Sequence, residues 1–430
     1  MDILYKIPDN WVWTTLEQIA DMTSGGTPSR TKKEYWNGNI NWLKSGELKD
    51  TYIHEVEEKI TEDGLKGSSA KIFPKDTLLM AMYGATVGRL GILNVDSSTN
   101  QAVCAIFNHH KLFVNEYLFF YLLSMRQKML KDSFGGAQPN LSQGYIKSID
   151  IPFAPLNEQK RIVAKIEKLF SNLDNSDKYL LHLEKQLKRY RQSVLKSAFE
   201  GELTKEWRNI NKFSYDDWKN QTILEIADKI FAGGDKPDKV SDTKTEEYPY
   251  PIYSNGLQDK GLYGYTNIYK VEEECITISA RGTIGFPLVR NERFVPIVRL
   301  IVVIPKDYIF SKYLKYYLES KIVVQSGSSI PQLTVPMVKQ IEILVPQLEE
   351  QQEIVNQIEK HFSIIDKLEN VVQKSINESK RLRQSILKQA FEAKLVEQDP
   401  NDESASILLE KIAKAKEEYL KAQKKQVRKK

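Results

Sequence analysis

Cysteine is nearly absent: Cys104 and Cys275 are the only two in 430 residues. Thiols that few and that far apart argue against a disulfide framework and against a cysteine-based zinc site, and they suit the cytoplasm. No apolar run approaches the roughly 18 residues of a membrane span. The opening "MDILYKIPDNWVW" lacks the basic-then-apolar pattern of an export signal. Catalytic signatures are equally scarce. There is no GxxxxGK[ST] phosphate loop, no strand–loop–helix dinucleotide fingerprint and no Asn-Pro-Pro-aromatic motif for amino-methylation. "ELK" (47–49) and "EEK" (57–59) match only the tail of a Glu-x-Lys nuclease motif, and such triplets arise by chance in a chain with 28% charged residues. His109 and His110 are adjacent, a poor geometry for joint ligation, so no metal site is expected.

The net charge of +5 resembles that of a nucleic-acid binder until it is located. Residues 411–430, "KIAKAKEEYLKAQKKQVRKK", carry nine Lys/Arg and two Glu, a net of +7, so the other 410 residues sum to −2. Any basic surface on the body must therefore come from local clustering. The tail itself has two readings, a solvated helix end or a salt-screened contact with DNA phosphates.

What the chain has in abundance is itself. Sliding residues 151–203 by 192 gives residues 343–395 without a gap, and 23 of the 53 positions are identical. "PLNEQKRIV" is matched by "QLEEQQEIV", and "RQSVLKSAFEGEL" by "RQSILKQAFEAKL". A gapless match of this length reads as internal duplication. The first copy places Ile162, Ile166, Leu169, Leu173, Leu180, Leu183, Leu187, Tyr190 and Val194 on alternating three- and four-residue steps, with Phe199 near its end. The second places Ile354, Ile358, Ile365, Leu368, Val372, Leu382 and Ile386 in the same register, with Phe391 near its end. These are heptad seams of two long helices. A helix from an Asn157 N-cap to Phe199 spans about 65 Å. Two seams in one chain most simply pack on each other; separate packing on unrelated cores is the alternative. Ala393 stands where the first copy has Gly201, so the second helix is expected to end less sharply.

Weaker echoes precede each helix. "LEQIADMTSGGTPSR" resembles "ILEIADKIFAGGDKP", "YGATVG" resembles "ARGTIG", and "PNLSQGYIKSIDI" resembles "PQLTVPMVKQIEI". The fold class expected is α+β: two mixed α/β domains separated by two long antiparallel coiled-coil helices, as a pseudo-two-fold repeat. The boundaries are 1–150, 151–206 (central helix), 207–342, 343–396 (distal helix) and 397–430 (basic C-terminal tail helix).

Gly/Ser/Thr/Asn/Gln-rich loops with isolated bases remain. Backbone amides, short hydroxyls and Lys/Arg suit phosphates, while Asn, Gln and Arg can read base edges. The candidates for DNA contact are Thr27, Ser29, Arg30, Lys32, Lys44, Ser45, Tyr83, Arg89, Gln138 and Asn140 in the first domain. In the second they are Lys236, Ser254, Asn255, Arg281 and Gln332. The competing reading is that the glycines make tight turns and the charges are merely solvated.

Along nearly its full length the chain resembles the specificity subunits of Type I restriction–modification systems. The paired helix starts and ends carry the resemblance, with "LTKEWR" after the first helix, "QDPNDESASILLEKI" after the second, and "GGTPSR" with "YWNGNINWLKSGEL" in the first domain. The resemblance implies two target-recognition domains, each reading one half of a bipartite, asymmetric site in double-stranded DNA. It implies helices that set the spacer and dock two modification (methyltransferase) subunits. It implies a chain without catalysis or cofactor of its own, S-adenosylmethionine belonging to the modification subunits, and ATP and Mg2+ to the restriction subunits. A coiled-coil scaffold without sequence reading is the alternative, though it would have no need of two divergent loop-rich domains. The Pro-Pro usual before such helices is replaced by Ala154–Pro155 and Pro346–Gln347, which leaves open the angle at which each helix starts.

Overall fold

The structure is a computed structural model that describes residues 5–108, 110–133, 139–256, 258–280, 285–325 and 332–427. The backbone divides into two compact units. Unit 1 comprises Met1–Lys178 with Ile376–Lys430, and unit 2 comprises Tyr179–Ser375.

Unit 1 opens with β1 (Val12–Thr15), α1 (Leu16–Ile19) and β2 (Asp21–Ser24). β3 (Trp36–Leu43), β4 (Thr51–Ile53), β5 (Glu58–Ile60), α2 (Glu62–Lys66), β6 (Ile72–Phe73), β7 (Leu78–Ala81), β8 (Leu90–Leu93), β9 (Ser97–Thr99) and β10 (Val103–Phe107) follow. α3 (Asn115–Asp132), α4 (Gln143–Lys147) and β11 (Asp150–Phe153) lead into the long α5 (Leu156–Phe199). One sheet has the order β2-β10-β7-β8-β4 and a second β5-β3-β9-β6, while β1 pairs with β11. β7 is buried on both faces, which explains its unbroken apolar run. Leu78 and Met80 pack with the α3 side chains Tyr117 and Leu118, whereas Leu79 and Ala81 face Leu43, Leu48 and Phe73.

α6 (Lys205–Asn211) follows α5. The elements of unit 2 then repeat the plan: β12 (Lys219–Thr222), α7 (Ile223–Ile226), β13 (Ala227–Ala232), β14 (Tyr250–Tyr253), β15 (Leu262–Thr266), β16 (Cys275–Ile278), β17 (Pro287–Arg290), β18 (Val295–Pro296) and β19 (Ile301–Pro305). α8 (Ser311–Gln325), α9 (Val335–Lys339), β20 (Glu342–Val345) and the long α10 (Leu348–Phe391) complete it, and α11 (Ala405–Val427) ends the described chain. The sheets are β13-β19-β16-β17, β15-β14-β18 and β12-β20, so the order repeats that of unit 1 without counterparts of the edge strands β4 and β6 among the described residues. The match extends to strand sense, because β3 with β9 and β14 with β18 are both parallel pairs. Both cysteines are buried and free, and burial pushes each thiol up to about 12, which makes them inert core residues.

Within each unit two long-helix segments run antiparallel, and the duplicated residues hold them. In unit 1 the Arg383 guanidinium donates to Asp174 and Asp177 at 2.8 and 2.9 Å and lies over Phe170. In unit 2 Arg191 pairs with Asp366 and Glu369 and lies over Phe362. Phe391 packs edge-on against Tyr117 and Tyr121, and Phe199 against Tyr313 and Tyr317. The four tyrosine hydroxyls donate to the backbone carbonyls of β11 and β20: Tyr117 to Pro152, Tyr121 to Asp150, Tyr313 to Leu344 and Tyr317 to Glu342.

The helix starts are equally regular. Glu158 and Gln159, like Glu350 and Gln351, are buried. The Trp11 indole donates to Glu158 at 2.9 Å and that of Trp218 to Glu350 at 3.0 Å. Gln159 donates to the Ala154 carbonyl and accepts from the Val114 N–H; Gln351 donates to Pro346 and Tyr308 and accepts from Phe310. The Glu-Gln pair is a bolt between helix and sheet domain, and this is why it recurs.

Three expectations need correction. α5 starts at Leu156, so Asn157 lies inside its first turn and the Pro155 carbonyl accepts from Gln159. Tyr190, Leu368 and Leu382 are exposed, and the buried stripe of α10 continues through Val372, as counted, and the polar seam position Ser379 to Leu387. A strict seven-residue count falls behind the 3.6-residue period of a straight helix by about 20° per heptad, so counted positions at the margin of the stripe turn outward. Half-buried Glu369 and Arg383, not Leu368 and Leu382, therefore face inward, and both are ion-paired. Of the remaining seam candidates, Ile162, Ile166, Leu187, Val194, Phe199, Ile354, Ile358, Ile365 and Phe391 are buried, while Leu169, Leu180 and Ile386 are half-buried. Lastly, α10 ends as sharply as α5. Gly201 and Ala393 both adopt positive φ, +79° and +56°, and both ends close with an N–H five residues after its acceptor, Glu202 to Ser197 and Lys394 to Gln389.

The basic C-terminal helix is not a free tail over its first half. Ala405, Leu408 and Ile412 are buried in the unit 1 core, and the Lys416 ammonium donates to the Glu17 and Ala20 carbonyls at the end of α1. Among the described residues no helix is long and apolar enough to cross a membrane.

Candidate nucleic-acid interface

The "GGTPSR" loop of unit 1 is a fixed structure. A Cβ on Gly25 would lie 2.2 Å from the Thr99 carbonyl oxygen, and one on Gly26 2.4 Å from Ser69, so only glycine permits this approach. The indoles of Trp42 and Trp36 donate to the Gly26 and Ser29 carbonyls at 2.9 and 3.1 Å. The two rings meet edge to face, and Arg30 lies 3.7 Å from the centroid of Trp36 and 5.0 Å from that of Trp42. Its guanidinium pairs with Glu58 at 2.6 Å, and Lys44 pairs with the other Glu58 oxygen at 2.8 Å. The Arg30 and Lys44 hydrogen bonds hold the Glu58 carboxyl below the usual range, so it is ionised and orients two exposed or half-exposed cations at once.

The other unit 1 candidates surround this cluster or the turn after β7. Thr27 donates to the Gln101 side chain, Ser29 bonds Thr31, and Lys32 donates to the Tyr35 hydroxyl at 3.0 Å. Ser45 is half-buried at the start of a 3-10 turn. Tyr83 and Arg89 are exposed on the tight turn joining β7 to β8, and Tyr83 bridges Asn140. Arg126, on α3, pins that turn by donating to the Gly88 carbonyl while pairing with Asp50. Gln138 lies outside the described residues.

In unit 2 the "FAGGDK" loop approaches as closely, a Gly233 Cβ falling 2.6 Å from the Pro296 backbone. Lys236 is exposed and lines a cleft of about 420 Å³ with Tyr263, Val298 and Arg299. Ser254 is half-buried, its N–H on the Gly261 carbonyl. Asn255 is committed inside the fold: its amide donates to the Val298 carbonyl at 2.6 Å and accepts from the Ala280 N–H at 2.7 Å. It shapes the loop rather than offering its amide to a ligand. Gln332 is half-buried beside Leu333, which bonds Ala280, and Arg281 lies outside the described residues.

Sequence reasoning passed over Glu58, Trp42, Gln101, Arg290 and Arg299. Arg290 is buried 3.6 Å from the Tyr253 ring centroid, and burial lowers its affinity for a proton. Arg299 hides in the apolar phrase "PIVRLIVVIP", where only its being the lone charge marks it. Among the described residues no group of His, Cys, Asp or Glu is placed to hold a metal ion.

Twice-repeated topology, two clamped Gly-Gly loops and exposed bases around them invite comparison with known proteins. A type I specificity subunit of Mycoplasma pneumoniae is 28% identical over 243 residues, 56% of this chain and 63% of that one. The specificity subunit of the MjaIX Type I restriction enzyme of Methanocaldococcus jannaschii is 32% identical over 185 residues, 42% of either chain. The chain thus spans less than two thirds of the length of these curated relatives. A solved structure concerned with assembly and conformational transition of the type I R-M system superposes with a TM-score of 0.76 at 21% identity, covering 91% of this chain and 100% of that one, a likeness of fold. The family model described as the Type I restriction modification DNA specificity domain matches twice, at residues 8–185 and 215–378. The chain belongs to the family of Type I restriction–modification DNA specificity proteins.

Proposed function

We propose that this chain is the DNA sequence-specificity subunit of a Type I restriction–modification complex, acting in the cytoplasm. The observation that carries the reading is the double family match, one in each unit, on a strand order that repeats while its loops diverge. Each recognition domain reads one half of a bipartite, asymmetric site in double-stranded DNA, and the paired helices set the spacer. The chain is not itself an enzyme; methyl transfer with S-adenosylmethionine, and ATP- and Mg2+-dependent translocation and cleavage, belong to its modification and restriction partners.

Two modification subunits dock on the helices. Support comes from apolar side chains left outside at equivalent positions of the two copies: Tyr179 and Val371 are 67% and 59% exposed, Tyr190 and Leu382 46% and 50%. A duplicated helix that leaves apolar side chains outside at the same positions of both copies offers one kind of partner surface twice.

Methylome sequencing of cells carrying this chain with its modification subunit tests the reading. A bipartite motif is expected, and replacing residues 207–342 with the matching segment of a relative should change one half alone. Absence of any motif, or a change in both halves together, would refute it.

A further inference from the structure

The turn that leads into the inner strand of each main sheet occupies one place in the plan of both units. In unit 1 it is Asn100–Gln101 before β10; in unit 2 it is Val298–Arg299 before β19. Both turns are gripped by the Gly-Gly pair that follows the neighbouring strand. The Gly26 N–H bonds the Thr99 carbonyl, and in unit 2 the Val298 and Arg299 N–H groups bond the Gly234 and Gly233 carbonyls at 2.9 and 3.0 Å.

The framework is constant and the side chain it presents is not. Gln101 is exposed, and the Thr27 hydroxyl bonds its amide oxygen, which fixes which way the amide points. Arg299 is exposed and lines the cleft with Lys236 and Tyr263. Val298 and Arg299 both have positive φ, +52° and +63°, a backbone that a β-branched residue strongly avoids. Val298 is nevertheless 51% exposed, so no core packing demands this shape. The Gly233–Gly234 bonds and the Asn255 amide on the Val298 carbonyl hold it there. Backbone strain maintained at an exposed tip points to a use for the tip.

We infer that this turn is a base-reading finger in each unit, with Gln101 suited to an adenine and Arg299 to a guanine. The inference rests on the proposed DNA reading and names the residues that carry it. The pairings follow from geometry: a Gln amide matches the N6 and N7 edge of adenine, and a guanidinium fork matches O6 and N7 of guanine. The register of the two turns sets Gln101 level with Val298, because the Val103 N–H bonds Asn100 as the Leu300 N–H bonds Ile297, so Arg299 stands one residue farther along than Gln101. A turn built to hold phosphate would carry a cation in both units; this one shows an amide in one and a guanidinium in the other, which is the variation of base readers.

The test is methylation-site mapping of the full chain with its modification subunit, wild type beside Gln101→Ala, Arg299→Ala and Arg299→Lys. Arg299→Ala should relax one guanine in one half-site, with discrimination falling about tenfold to hundredfold, and should leave the other half intact. Gln101→Ala should relax one adenine in the other half. Arg299→Lys keeps the charge but loses the fork, so it should relax the same guanine. The untouched half-site reports folding in each variant. A motif unchanged in every variant, or weaker methylation with no position relaxed and Lys restoring it, would overturn the inference while leaving the specificity reading standing. A wild-type complex without a bipartite motif would instead refute that reading itself.

Discussion

Unit 1 and unit 2 place the same buried glutamate under the same tryptophan and then neutralise it differently. Glu350 accepts from Trp218 and pairs with buried Arg208 at 2.6 Å, and Thr204 bonds the same oxygen. Glu158 accepts from Trp11, but its second oxygen meets the amide of Gln398 at 2.5 Å, and the nearby Arg161 is taken by Asp402. In each unit the segment after one long helix folds back onto the start of the other; in unit 2 it brings a cation and in unit 1 an amide. The two arrangements share a side-chain oxygen that accepts from tryptophan, while the charge balance around it varies.

Four measurements would break or sharpen this comparison. The largest effect belongs to Glu350→Gln, which leaves Arg208 buried without a counter-ion and should cost unit 2 about 3–5 kcal/mol, read by hydrogen exchange resolved by unit. Glu158→Gln, which keeps an acceptor for Trp11, should shift unit 1 by no more than about 1 kcal/mol. Equal losses would mean that the two glutamates do the same work.

Next comes Leu408→Ala. The helix it belongs to has no counterpart among the described residues of unit 2, so the expected loss of about 2–4 kcal/mol should fall on unit 1 alone. Protection lost equally in both units would show that α11 is not a private element of unit 1.

Smaller still are the helix ends. Gly201→Ala would bring a Cβ to 2.7 Å from the Tyr215 ring at φ +79° and should cost about 1–2 kcal/mol. Ala393→Gly relieves the same backbone and should stabilise unit 1 by about 0.5 kcal/mol after the added freedom of the unfolded chain is subtracted. Thermal melts of both variants decide it; a destabilised Ala393→Gly would contradict the left-handed cap.

The smallest is a pH effect confined to unit 1. Burial raises the Glu158 pKa, outweighing the Trp11 and Gln398 hydrogen bonds that favour its charged form. The native carboxyl then keeps its proton at pH values where the unfolded one has lost it. Its contribution is complete below the ordinary value of 4.5 and is lost as pH rises through the raised native one. Wild type should therefore lose unit 1 stability relative to Glu158→Gln as pH climbs upward from 4.5, with a flat difference thereafter. A difference that grew on acidification would reverse the sign and refute the assignment.

Much of this architecture was legible because duplication is visible without knowing what it builds. The repeated Glu-Gln and Ala-Phe-Glu phrases mark helix starts and ends, and the structure supplies their meaning as bolts to tryptophan and tyrosine. The seam was legible at both ends of α5 and through Ile365 and Val372 of α10; it failed at Tyr190, Leu368 and Leu382, and half-buried Glu369 and Arg383 take the inner face beside the last two. The loops were legible in kind, since Gly25, Gly26 and Gly233 announce close approach. Their internal bookkeeping was not. Glu58 under Arg30, and Asn255 across to Val298, join residues 28 and 43 positions apart, and no local pattern encodes such pairs.

Unit 2 is drawn from one uninterrupted stretch, Tyr179–Ser375, whereas unit 1 waits for Ile376–Lys430. A ribosome works in the order of the chain. The first recognition domain emerges with Tyr117 and Tyr121 ready, but their partner Phe391 and the core residues Ala405, Leu408 and Ile412 are still unmade. The second domain can close as soon as its own residues are out. The part synthesised first is therefore completed last, held open by a loop closure across the 197 residues Tyr179–Ser375, whose entropic cost grows only slowly with length. A message cut short after residue 375 would yield a whole second unit and a first unit without its clasp.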